Sequence, residues 1–172
     1  MNATTGIASP KGGEAGTSSA DLLKTILAKH PFLEGLSPHQ LRLLHDNAIL
    51  IQFNAGELIF REGDPANRFY LIHSGKVALE SRAGENGHRL IQALGPGEVL
   101  GWSWLFPPYF WHLDARALEP TDAVFFYGTP LRDECEADHD LGYELLKRMA
   151  GIVISRLQAT RRQLLHARAA TQ

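Results

Sequence analysis

The sequence predicts a mainly β fold with flanking helices: an antiparallel barrel or jelly roll, preceded by helical turns and followed by one long helix. Three observations carry this. Between Ala48 and Tyr127, runs of four to seven residues are bounded by Gly, Pro, Asn and Asp, the punctuation of short antiparallel strands. On both sides of that region apolar residues recur at three and four residues, the period of an amphipathic helix. The 172 residues are 44% hydrophobic and 21% charged, enough for one domain with a genuine core.

Residues 1–20 are rich in Gly, Ser, Thr, Asn and Ala, with Ile7 the one large aliphatic side chain. Such a segment buries too little apolar area to offset the entropy of ordering, so a disordered tail is expected. After Ser19, Leu22, Leu23, Ile26 and Leu27 mark a helix, which Pro31 interrupts. Ser37 then offers an N-cap and Pro38 a first helical residue whose missing N–H costs nothing. Leu41, Leu43 and Leu44 supply that helix's stripe. Strands are predicted near 48–53, 57–60, 69–73, 76–81, 89–94, 112–118 and 122–127. Gly56, Gly63, Gly75, Gly84 and Gly87 fall between runs, where a turn needs positive φ. After Thr129-Pro130 the helical period returns. Leu141, Leu145, Leu146, Met149, Ile152, Val153, Leu157 and Leu164 form one stripe. The expected organisation is a tail at 1–20, a domain at 21–136 and a long helix at 137–168.

Composition removes several function classes. A net charge of -2 gives no general attraction to nucleic acid or anionic membrane. Cys135 is the single cysteine, which excludes an internal disulfide framework and a four-cysteine cluster. No apolar run approaches the roughly 18 residues that span a bilayer. The N-terminus lacks the basic start and apolar core of a signal peptide. A cytoplasmic location is the default expectation, with no membrane partner.

Two motifs point to a family. One is Gly56-Glu57-x-Ile59-x-x-x-Gly63-Asp64-x-Ala66-Asn67-x-Phe69-Tyr70-x-Ile72-x-x-Gly75. The other is Leu94-Gly95-Pro96-Gly97-Glu98-Val99-Leu100-Gly101. Together they resemble the cyclic nucleotide-binding domain, the β-roll effector module of the catabolite activator/FNR-type regulators and of cyclic nucleotide-gated kinases and channels. LSPHQLRLL at 36–44 resembles the short helix that precedes the β-roll in that family. The resemblance implies a ligand-sensing regulatory domain. It also implies that the last helix pairs with its twofold mate through Leu145, Met149, Ile152, Val153 and Leu157, making a homodimer. The helix-turn-helix domain of the transcription factors has no counterpart in these residues, so direct DNA binding is not expected.

The ligand loop departs from the family pattern. In the family an acidic residue after the second Gly run holds a ribose hydroxyl, and about ten residues on an Arg holds the cyclic phosphate. Here Trp102 and Trp111 stand at those places. The resemblance places candidate ligand contacts at Leu100, Gly101, Trp102, Ser103, Trp104, Trp111 and His112. A short helix after Gly101 would aim backbone N–H groups at an anion. All three tryptophans lie within ten residues, beside Phe106, Tyr109 and Phe110. Two readings stand open: a hydrophobic plug that fills the pocket, or a pocket rebuilt for an aromatic or lipophilic ligand.

Strand parity puts Trp111, Leu113, Ala115 and Ala117 on the inner face and His112, Asp114 and Arg116 on the outer. A buried phosphate without its cation loses about 3–5 kcal/mol, unless His112, Ser103 or backbone amides compensate. No cofactor is expected to be required. The effector, a cyclic nucleotide or an apolar ligand, stays open.

No nucleophile–base pair stands out, so an enzyme is not expected. The eight histidines contain no i, i+4 pair of the kind that binds metal. A haem ligand among them would follow only from the family resemblance, since some members bind haem. Lys147, Arg148, Arg156, Arg161, Arg162 and Arg168 make the last helix basic. A solvated helix face is the commoner meaning, and an acidic or nucleic-acid partner the alternative. A protein partner in signalling, or a pseudo-sensor that only dimerises, completes the set of readings.

Overall fold

The computed structural model describes residues 18–82 and 87–169, apart from the Arg168 side chain. The predicted tail lies, as far as residue 17, outside the described residues, as does the Gly84 turn. Ser19 and Ala20 already belong to the first helix.

Helix α1 runs Ser19–Lys29, capped by the Ser18 side chain on the Ala20 N–H at 3.2 Å. A single 3-10 turn, Pro31–Leu33, follows. Helix α2 runs Pro38–Asp46 with a full capping box: Ser37 Oγ accepts from Gln40 N–H and Gln40 Oε1 accepts from Ser37 N–H. This satisfies two otherwise orphaned donors. The strands are β1 (Ala48–Phe53), β2 (Leu58–Phe60), β3 (Arg68–Ser74), β4 (Val77–Arg82), β5 (His88–Leu94), β6 (Val99–Leu100), β7 (Asp114–Ala117) and β8 (Thr121–Tyr127). They form two antiparallel four-stranded sheets, ordered β1-β8-β3-β6 and β2-β7-β4-β5. Helix α3 (Gly128–Ala137) and helix α4 (His139–Ala169) close the chain. The predicted mainly β roll with flanking helices and a long last helix is the observed architecture.

Two elements were not predicted. Strand β6 has only two residues, paired with Tyr70 and Leu71 of β3, too short to show a period. Helix α3 buries only Gly128 and Leu131, so it lacks a stripe. It continues without a break from β8: Gly128 donates to the Asn67 carbonyl at 2.7 Å, and a Cβ there would meet that carbonyl at 2.9 Å.

Two cores result. Between the sheets lie Phe53, Ile59, Phe60, Tyr70, Ile72, Val77, Leu79, Leu94, Leu100, Trp111, Ala115 and Ala117. On the outer face of the first sheet lie the helices, with Leu27, Leu33, Leu44, Phe69, Trp104, Phe126, Leu131, Leu141, Leu145 and Met149. Phe69 and Tyr70, neighbours on β3, face opposite cores, as pleating requires.

Helix α4 is about 45 Å long at 1.5 Å per residue. Its first half is bound to the domain. Asp138 Oδ1 accepts from Leu141 N–H at 3.0 Å, and this bond holds the Asp138 carboxyl below its usual range. Gly142 passes so close to α3 that a Cβ would meet the Cys135 carbonyl at 2.8 Å. Arg148 donates to the carbonyls of Phe32 and Glu34, at 2.6 and 2.8 Å. No helix among the described residues is long and apolar enough to cross a membrane.

Candidate functional site

The loop from Gly101 to Trp111 joins β6 to β7. It is a succession of turns, not the short helix expected after Gly101. Leu105 N–H reaches the Trp102 carbonyl at 3.3 Å and Tyr109 N–H the Phe106 carbonyl at 3.0 Å. Aligned helical N–H groups are therefore not what this loop presents.

Trp111 enters the space between the sheets, as its parity predicts. It is 3% exposed, and its ring stacks on Phe60 with centroids 3.9 Å apart and planes at 12°. Backbone bonds fix it: Trp111 N–H to the Asp64 carbonyl at 3.0 Å, and Gly63 N–H to the Trp111 carbonyl at 2.9 Å. Gly101 sits against this ring with φ +86°, and a Cβ there would lie 2.7 Å from it. Only glycine meets both demands at that point.

What remains beside Trp111 is a cavity of about 50 Å³. Phe60, Leu79, Gly101, Trp102, Ser103, Trp111, His112, Leu113 and Arg156 line it. That volume admits a few waters, where a ligand pocket usually measures ~300 Å³ or more. Larger grooves, of about 390 and 570 Å³, lie at α1–α2 and at α1–β1, away from this loop.

Five of the seven predicted ligand contacts meet here: Gly101, Trp102, Ser103, Trp111 and His112. Two do not. Leu100 is 1% exposed inside the inter-sheet core. Trp104 turns to the opposite side of the first sheet, where it is fully buried and stacks on Phe69 at 4.9 Å. The sheet separates it from the cavity. Trp102 is half-buried and stacks on the exposed ring of His112 at 5.4 Å.

The predicted outer face of β7 needs one correction. Asp114 is 2% exposed because other polar groups cover it. It accepts from Glu62 N–H at 2.7 Å and lies 3.3 Å from His88 Nδ1. Arg116 pairs with Glu80 at 3.3 Å and donates to the Gly56 carbonyl at 2.9 Å, well outside the inter-sheet space.

The residue that sequence reasoning missed is Arg156. It was counted with the solvated face of α4. Instead it folds back onto its own domain, donates to the Val99 carbonyl and lines the cavity. Burial pulls its pKa down to about 10, with Glu98 acting the other way. No carboxylate of a described residue lies within ion-pair distance of it. Its partner is 57 residues away in sequence, so no local pattern could have revealed the contact.

The α4 stripe divides in the same way. Leu145 and Met149, expected at a dimer seam, are 0% exposed inside the chain's own core. They cannot also face a second chain. Ile152 and Val153 are half-buried, Ile152 against that core. The exposed apolar side chains are Leu146, Ile154, Leu157, Leu164 and Leu165, at 46, 55, 68, 58 and 56%. Cys135 is half-buried, and burial beside acidic residues pushes its thiol up to about 11, which keeps it protonated.

Comparison with known proteins bears on this site. The family model of the cyclic nucleotide-binding domain matches residues 50–138. The CRP-like cAMP-activated global transcriptional regulator of Mycobacterium tuberculosis is 28% identical over 125 residues, 73% of this chain and 56% of that protein. The chain thus spans about half the length of this curated relative. The crystal structure of the Thermus thermophilus catabolite activator protein aligns at TM-score 0.63 and 25% identity, covering 78% of this chain and 61% of that one. A cyclic nucleotide-binding domain from Methylobacillus flagellatus aligns at TM-score 0.72 and 20% identity over 86% and 83%, a likeness of fold. The chain belongs to the cyclic nucleotide-binding domain family.

Proposed function

We propose that this domain is a ligand-sensing regulatory module whose nucleotide site has been narrowed, so that cyclic AMP binds weakly or not at all. The observation that carries the reading is the Trp111–Phe60 stack, which leaves about 50 Å³ where a nucleotide needs several times more. The relatives' regulatory role supports the class of function, and nothing in the site recommends catalysis. A large apolar ligand is disfavoured by the same volume.

Calorimetry with cyclic AMP tests this. The expected Kd is no better than about 100 μM, and low-micromolar binding would overturn the reading. The double variant Trp111→Arg, Trp102→Glu is expected to regain part of the phosphate and ribose recognition. A folded double variant that still binds nothing would favour the second reading, a dimeric interaction module whose aromatic ring is a permanent plug.

Signal output is assigned to α4, which Arg156 ties to the loop strand and whose exposed leucines suit a twofold mate. The proposed seam runs through Leu146, Val153, Leu157 and Leu164, with Ile152 at its edge. Leu157→Glu is expected to give a monomer in light scattering while changing fold stability by no more than about 0.5 kcal/mol. Unchanged mass would refute the seam. These residues are not assigned direct DNA contact; the output would go to a protein partner or an attached domain.

A further inference from the structure

The cavity is lined by polar groups that can donate and by no carboxylate. Arg156 is a half-buried cation whose described partner is one backbone carbonyl, that of Val99. Glu98 is close enough to influence it, but Glu98 Oε2 is occupied by the Gly95 N–H at 2.7 Å. Ser103 is 5% exposed, and its hydroxyl has no hydrogen-bond partner among the described residues. Trp111 forms a wall of the cavity through its ring, and its indole N–H is sealed within the core. A guanidinium can only donate, and a hydroxyl can donate. No carboxylate lines the cavity, and Arg156 makes it unfavourable for a cation.

We propose that this cavity is a site for a compact oxyanion, of carboxylate, nitrate or phosphate type, held by Arg156 from the chain's own last helix together with Ser103. This deepens the sensor reading and rests on it. Three considerations converge. The volume of about 50 Å³ suits on the order of four or five non-hydrogen atoms and excludes a purine. A lining that offers the Arg156 guanidinium and the Ser103 hydroxyl and no carboxylate complements a ligand rich in acceptors. A guanidinium presents paired N–H groups that match two oxygens of a planar or tetrahedral anion.

The resemblance placed the missing cation on the strand that follows the loop. The fold supplies one instead from α4, where Arg156 touches both the cavity and the Val99 carbonyl. An anion bound there bridges helix and loop. Occupancy would therefore tighten α4 against the domain, coupling the ligand to the helix that faces the proposed partner copy.

The test is tryptophan fluorescence and calorimetry on the full chain. The probes are acetate, nitrate and inorganic phosphate, with chloride as an ionic-strength control and cyclic AMP as the nucleotide arm. At least one oxyanion is expected to bind saturably with a Kd of about 1 mM or better. Arg156→Gln is expected to weaken it at least about tenfold and Ser103→Ala about threefold. Arg156→Lys, which keeps the charge, should retain more affinity than Arg156→Gln. Should Arg156→Gln fail to fold, Arg156→Lys and Ser103→Ala carry the same comparison.

Saturable binding that is indifferent to Arg156 and Ser103 would overturn the proposal, as would the same response to chloride. Tight cyclic AMP binding without an oxyanion response would overturn it while leaving a sensor of the nucleotide type. A folded wild type that binds neither would overturn this inference and leave the narrowed nucleotide site of the proposed function standing.

Discussion

Trp104 and Trp111 lie seven residues apart in one loop and end in different cores. Trp104 packs beneath the helices, with Phe69 stacked on it and Phe126 behind. Trp111 packs between the sheets on Phe60. Both are buried, and both have an indole N–H without an acceptor. They differ in what the ring borders. Trp104 has helix α3 beside it, whose Arg132 donates to the Trp104 carbonyl at 2.5 Å and lies over the Tyr109 ring at 4.6 Å. Trp111 has a cavity, a free hydroxyl and a guanidinium beside it. The first ring anchors the loop to the helices, and the second shapes the site. An aromatic cluster in sequence is thus two different devices in space, separated by the thickness of one sheet.

The largest expected effect tests the anchor. Trp104→Ala should cost about 3–5 kcal/mol, because a fully buried ring leaves a cavity that packed neighbours cannot fill. Thermal or chemical denaturation measures it, and a loss below about 1 kcal/mol would show that the helix-facing core is loose. Gly101→Ala comes next. It places a methyl 2.7 Å from Trp111 at φ +86°, and about 1–3 kcal/mol should be lost. In a Trp111→Ala background only the positive-φ strain remains, about 1 kcal/mol. A double-mutant cycle with no coupling would separate Gly101 from Trp111 and weaken the account of the site. Arg132→Ala should cost about 1–2 kcal/mol, since it removes a charge-assisted bond at a partly exposed position. The Trp111 emission should change little, because Arg132 holds the other side of the loop.

The smallest effect is a pH dependence on the helix side alone. His30 is 5% exposed, and its Nδ1 accepts the Phe32 N–H at 3.3 Å. Burial lowers its pKa, partly offset by the Ile72 carbonyl, with His73 adding to the lowering. The unfolded chain therefore takes up a proton near pH 6.5 that the folded chain refuses. Stability should be full above about pH 6.5 and fall as the pH drops below it. His30→Gln should reduce that slope in denaturation curves taken between about pH 7.5 and 5. An unchanged slope would assign it to other groups.

Much of the fold was legible because it is written in short-range spacing. Strand β1 was read at its observed bounds, and most of the other strands within one or two residues, from the Gly, Asn and Asp between them. Ser37 and Pro38 announced α2. The inward parity of Trp111 followed from alternation and was observed. The two-residue β6 and the stripe-poor α3 were not legible, since neither carries a period. In the site, the loop position of Gly101, Trp102, Ser103, Trp111 and His112 was legible from motif and resemblance. The departure of Trp104 was not, because no spacing rule says which side of a sheet an irregular loop will fill.

By itself, the sequence determined the class of fold, the order of its periodic elements and the presence of an aromatic loop where the family carries its ligand contacts. These depend on i+2, i+3 and i+4 periodicity and on turn residues, which act within a few positions of the chain. The tertiary structure alone decided that Trp104 leaves the loop for the helix-facing core and which leucines of α4 are spent on the chain's own core. It alone also returned Arg156 across 57 residues to the loop strand. Each of these is a contact between segments remote in sequence, set by how a finite volume is filled, and packing of that kind leaves no local trace.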